Sequence, residues 1–135
     1  MNQSRLKNEN ADIDKYLRTH NLSMTTSGSG LRYLITKNAT SEKKSPAGAR
    51  VVVAYELQSL SGQVYYTFDK NHSFLFTLGR AEIIKGIEEA VTMMNVGDEA
   101  LLLIPSHLAF GNSGDNDRIA PDESLVCKLS LMKIE

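Results

Sequence analysis

The residues to weigh first for chemistry are one cysteine and three histidines. Cys127 is the only cysteine, so it closes no internal disulfide and has no second thiolate for a metal site. A cysteine nucleophile needs a base beside it. The candidates are His20, His72 and His107, and nothing in their spacing ties any of them to Cys127. In Leu125-Val126-Cys127-Lys128-Leu129 the odd positions are apolar, the pattern of a small hydrophobe buried on a strand. His107 falls in Pro105-Ser106-His107-Leu108, where a solvent-facing side chain is expected. No metal and no cofactor is expected.

The elements that would hold any site are legible as changes of period. The chain has 135 residues, 41% of them hydrophobic, which suits one core. The formal net charge is −1, so no basic field exists to grip nucleic acid. No apolar run approaches the ~18 residues needed to span a bilayer. The start (Met1, Asn2, Gln3, Ser4, Arg5) is polar, unlike a signal peptide.

The first ten residues are expected to be a mobile lead-in. Ile13, Tyr16 and Leu17 share one face of a short helix predicted over 11–22, and Thr25 to Gly30 reads as a linker. Strands are predicted near 31–36, 51–57, 63–67, 74–78, 100–104 and 124–134. Between them, Ile83, Ile84, Ile87, Ala90, Val91 and Met94 recur at three- and four-residue steps. That is one amphipathic helix over 82–94, expected to be the only long one. The sum is α+β: an antiparallel sheet with one helix across it. Residues 1–30 are predicted as an N-terminal extension and 31–135 as the domain proper.

From Val51 onward the chain carries a run of motifs: Val53-Ala54-Tyr55, Gly62-Gln63-Val64-Tyr65, Phe74-Leu75-Phe76-Thr77-Leu78-Gly79 and Glu82-Ile83-Ile84-Lys85-Gly86-Ile87-Glu88-Glu89-Ala90. Met94-Asn95-Val96-Gly97-Asp98-Glu99-Ala100, Ile104-Pro105-Ser106-His107-Leu108-Ala109-Phe110-Gly111, Ile119-Ala120-Pro121 and Leu125-Val126-Cys127-Lys128-Leu129 follow. In order and spacing the series resembles the FK506-binding-protein (FKBP) family of peptidyl-prolyl cis-trans isomerases. The resemblance implies a twisted antiparallel sheet wrapped over an amphipathic helix, with a short helical extension before it. Tyr55-Glu56-Leu57, Val64-Tyr65-Tyr66 and the N-terminal extension are similar to FKBP-like lipoproteins of Bacteroidetes, including those associated with gliding motility. That likeness implies a periplasmic or outer-membrane location, with a membrane tether through a removed N-terminal lipid anchor.

The implied activity is rotation about the X-Pro amide, with Tyr55, Tyr65, Phe74, Ile84 and Phe110 as catalytic residues. Ile83, Ile87, Ile119 and Cys127 complete the substrate-binding set, and the Ile84 N–H is the implied donor to a substrate carbonyl. The implied partners are proline-containing polypeptides, with weak binding of tacrolimus-like macrolides. Four departures from the family pattern stand out. Tyr65-Tyr66 stands where Phe-Asp is usual, in a segment one residue shorter, with Asp69 as the substitute carboxylate. Ile87 replaces a tryptophan, Phe110 a tyrosine and Cys127 a phenylalanine. A catalytically weak module that holds proline-containing or apolar peptides is the rival reading.

Overall fold

The computed structural model describes residues 3–135; Met1 and Asn2, the start of the polar lead-in, lie outside the described residues. The chain runs α1 (Gln3–Thr19), β1 (Thr25–Thr26), β2 (Arg32–Lys37), β3 (Arg50–Ser59), β4 (Val64–Phe68), β5 (Phe74–Thr77), α2 (Lys85–Met93), β6 (Glu99–Ile104) and β7 (Leu125–Ile134). The strands form one antiparallel sheet in the order β1-β2-β6-β7-β3-β4. β5 also pairs with β3. β4 takes the half of β3 from Tyr55 to Gln58, and β5 the half from Arg50 to Val53. The edge of β3 is thus shared end to end.

Alternation along the strands sets two faces. Val51, Val53, Tyr55 and Leu57 of β3 join Leu102, Ile104, Leu129 and Leu131 in the main core. Ile87, Ala90 and Val91 of α2 and the adjoining Met94 close that core from the other side. Gly86 lets α2 lie tight against β6: a Cβ there would stand 2.6 Å from Ile104 Cγ2.

The opposite face is covered as well. Ile13 of α1 packs on Leu103 and Val126, which are register partners on β6 and β7. Asp14 of α1 accepts from Arg32 Nη1 at 2.8 Å. α1 has 17 residues against 9 in α2. It starts well before the predicted 11–22 segment, so part of the expected lead-in is helix, and α2 is not the longest helix. Asn21, at φ 53°, ends it in the left-handed conformation that commonly closes helices. The expected linker also contributes β1, which pairs Thr25 and Thr26 with Tyr33 and Arg32.

A candidate apolar cleft at the start of α2

Five of the expected site residues converge on one cleft. Tyr55 from β3, Phe74 from β5, Ile83 and Ile84 at the entry to α2, and Phe110 after β6 line a cavity of about 470 Å³. Leu57, Ala81, Glu82, Lys85, His107 and Ala109 complete its walls. Glu82, Lys85 and His107 are exposed, and Ile83, Ile84 and Phe110 half-buried, so the charges stand at the rim. Ile87 and Cys127 have no exposed surface and belong to the core; neither is a wall. Tyr65 and Ile119 are also buried in the core cluster and outside the walls of this cleft.

Local geometry explains the placement. Ile84 precedes α2 with extended backbone (φ −60°, ψ 145°), and no side chain caps the helix. The first N–H groups of a helix lack intrahelical acceptors, so this end is a donor set beside an apolar wall. Glu82 and Glu88 brace the turn before it, accepting from the N–H of Thr77 at 2.7 Å and of Gly79 at 2.8 Å. The aromatic wall is a cluster. The rings of Tyr55 and Phe68 lie 4.8 Å apart, Tyr55 and Phe74 6.0 Å, and Phe68 and Phe74 5.4 Å, within the range of favourable aromatic pairs. Phe68 lies outside the residues the family motifs mark; the β3–β4 register sets it opposite Tyr55.

Burial, aided by the proximity of Cys127, pushes the Tyr55 phenol up to about 12. Its hydroxyl therefore stays protonated and able to donate. Burial, with Glu56 nearby, also pushes the Cys127 thiol up, which suits an inert core group rather than a nucleophile. His107 is exposed, and its Nε2–H donates to the Ser29 carbonyl at 2.8 Å. A second depression, on the part of the sheet bearing Glu56, Glu99 and Lys128, shares Tyr55 but has neither Phe74, Ile84 nor Phe110 in its walls.

A family model described as FKBP-type peptidyl-prolyl cis-trans isomerase matches residues 41–132. The chain belongs to this family. It is similar to a probable FKBP-type peptidyl-prolyl cis-trans isomerase, FkpA, of Neisseria meningitidis, at 36% identity over 110 residues, 81% of this chain and 39% of the relative. It is similar to the chloroplastic peptidyl-prolyl cis-trans isomerase FKBP16-3 of Arabidopsis thaliana, at 31% identity over 90% of this chain and 55% of the relative. The chain thus spans about two fifths to just over half the length of these curated relatives. A crystal structure of a peptidyl-prolyl cis-trans isomerase from Pseudomonas syringae has the same fold. Its TM-score is 0.81 and its identity 24%, over 98% of this chain and 95% of that one.

The departures from the FKBP pattern take a definite form here. The β3–β4 register shifts between Leu57↔Tyr66 and Gln58↔Val64, leaving Tyr65 as the extra residue of a bulge. Both tyrosines then clasp the loop before β7. The Tyr65 hydroxyl donates to Glu123 Oε2 at 2.7 Å, and the Tyr66 hydroxyl donates to Asp115 Oδ2. Arg118 lies over the Tyr66 ring, 4.9 Å from its centroid, and donates to the Tyr65 carbonyl. Asp115 Oδ1 also accepts from the N–H groups of Ile119, Arg118 and Asp117. Burial raises the Asp115 carboxyl, but Tyr66 and these N–H groups outweigh it and bring it down to about 2. Asp69, the expected substitute carboxylate, instead accepts from the N–H groups of Asn71 and His72 within its own turn.

Proposed function

We propose that this chain catalyses cis-trans rotation of X-Pro amide bonds in polypeptides. The observation that carries the reading is the convergence of Tyr55, Phe74, Ile83, Ile84 and Phe110 on one apolar cleft beside the uncapped start of α2. An X-Pro amide isomerises over a barrier of ~18–20 kcal/mol because twisting breaks its resonance. The twisted amide has a smaller dipole than the planar one. A dry wall therefore disfavours the planar form more than the twisted form and lowers the barrier between them. Tyr55, Phe74 and Phe110 enclose the proline ring. The Ile84 N–H holds a substrate carbonyl, and the rim charges of Glu82 and Lys85 meet the flanking residues. The core set (Ile87, Cys127, Tyr65, Ile119) supports these walls from behind. No proton is transferred, so neither Cys127 nor His107 acts as nucleophile or acid.

The test is the cis-to-trans rate of a short X-Pro peptide with and without the protein. Acceleration that saturates with peptide supports isomerase action; an unchanged rate together with peptide binding moves the function to the second reading. That reading is a module that holds proline-containing or apolar segments, as a chaperone does. It is favoured by the absence of any tryptophan, so that a fully buried isoleucine, Ile87, stands where the family presents a flat indole. Tacrolimus-like macrolides bind weakly for the same reason. The likeness to exported lipoproteins extends the proposal to a periplasmic, lipid-tethered protein. Mass spectrometry of the native protein for an N-terminal lipid checks that part, and an unlipidated cytosolic protein refutes it.

A further inference from the structure

We propose that Glu9 of α1 is a positioning residue for the cleft, which makes the N-terminal helix a working part of the site. This rests on the isomerase reading. Glu9 is only 5% exposed, and a carboxylate leaves water only where its lone pairs are met. Three donors meet it. Its Oε1 accepts from the Ser106 N–H at 2.7 Å and from the Ser124 hydroxyl at 2.8 Å, and its Oε2 accepts from the Ser106 hydroxyl at 2.7 Å. Hydrogen bonds to an ionised acceptor are the strong kind.

The two serines bound the segment that carries the far wall. Ser106, held by Glu9 at its N–H and its hydroxyl, offers its carbonyl to the N–H groups of Ala109 at 2.9 Å and Gly111 at 2.8 Å. Those two amides bracket Phe110. At the other end, Ser124 directly precedes β7, and Asp122 N–H donates back to the Gly111 carbonyl at 2.9 Å. One carboxylate thus ties both ends of the 106–124 segment to a helix seated on the far face of the sheet. Ile13, wholly buried on Leu103 and Val126, keeps that helix in place. A purely structural anchor would stabilise the molecule without acting through Phe110, and the two roles separate by experiment.

The kinetics of X-Pro peptide isomerisation are compared for the wild type, Glu9→Ala, Glu9→Gln, Asp14→Ala, Phe110→Ala and the Glu9→Ala/Phe110→Ala double variant, at a temperature where each is folded. Amide exchange at Ala109 and Gly111 is read in parallel. Glu9→Ala is expected to lower kcat/KM by about tenfold, on the scale where tenfold is ~1.4 kcal/mol. Glu9→Gln, whose amide can meet the same three groups once the Ser106 hydroxyl turns to accept, stays within about threefold. Asp14→Ala, which removes the bond to Arg32 and leaves all three bonds of Glu9 in place, leaves activity unchanged. The double variant is no worse than Phe110→Ala alone, because both losses run through one wall. Exchange at Ala109 and Gly111 speeds up while α2 amides hold. Wild-type kinetics for Glu9→Ala, or independent losses in the double variant, overturn the proposal. If the wild type itself accelerates nothing, the isomerase reading fails. The exchange measurement then still decides whether Glu9 holds the wall: faster exchange supports it, and unchanged exchange overturns it. Should Glu9→Ala not fold, Ser124→Ala removes one donor instead. A loss of about threefold supports the clamp and wild-type kinetics overturn it.

Discussion

Phe110 and His107 stand three residues apart on the same wall, and the mechanism assigns them opposite weights. Phe110→Ala opens the cleft to water, and at least a tenfold loss of kcat/KM is expected. His107→Ala removes a bond to the Ser29 carbonyl and no step of the reaction, so activity should stay within about threefold. Since Tyr55 keeps its proton until about 12 and amide rotation moves none, the acceleration should be flat from pH 6 to 8. A bell-shaped profile that vanishes in His107→Ala would force a general-acid role. Ile87 poses a different question. It is wholly buried, so Ile87→Trp must push into the cleft floor, at a cost of ~1–3 kcal/mol of stability. The aromatic surface it adds should tighten macrolide binding or raise turnover, with ~0.5–1.5 kcal/mol available from ring contact. A folded Ile87→Trp protein with neither change would show that the floor is not what limits this site.

Among the elements, α2 and the loop before β7 each carry a prediction. Gly86 lets α2 sit close on β6, and Ile104, whose Cγ2 a Cβ would strike, is fully buried. Gly86→Ala gains ~1 kcal/mol in helix propensity and loses more to overpacking. A net destabilisation of ~1–2 kcal/mol in denaturant melts is expected, with activity falling as the helix start shifts. The loop depends on Asp115. Its carboxyl is held near 2 against an ordinary 3.8, so the ionised form is favoured in the folded state. The stability it contributes is complete above about pH 4 and is lost as pH falls toward 2. The gap in Tm between wild type and Asp115→Ala should therefore be present at pH 7 and close between pH 4 and 2. A gap that persists at pH 2 would show that Asp115 acts through packing and not through its charge.

These elements also show what can be read from one dimension. The strands from β2 on and α2 are legible because stretches such as Val51 to Leu57 and Ile83 to Met94 carry clean periods of two and 3.6; β1, inside the expected linker, is not. The family motifs then marked Tyr55, Phe74, Ile83, Ile84 and Phe110 as site candidates, and these do meet in one cleft. The first turns of α1 were not legible. The key side chain is a glutamate, which usually marks a surface, and its three donors lie 97 and 115 residues away. Nor does the bulge at Tyr65 leave a local mark; it arises from how two strands slip past each other. Asp69 has the right type for the missing carboxylate, but it is taken up by the N–H groups of its own turn.

At the scale of the whole molecule, the sheet is enclosed by α2 on one face and α1 on the other, and its spine is the pair β3 and β7. Val51 lies opposite Ile134, and Ser59 opposite Leu125. That pairing has a consequence for how the protein is made. A ribosome delivers β3 about 75 residues before β7; at ~5–20 residues per second the wait is roughly 4–15 s. By the end of that interval Val51, Val53, Leu102 and Ile104 have been synthesised, but the strand between their two halves of the sheet has not. Nascent chains halted before Leu125 should be fully protease-sensitive, and those with β7 clear of the ribosome protected. Protease sensitivity up to that point would mean that a member of an isomerase family spends several seconds of each synthesis with its own core uncovered.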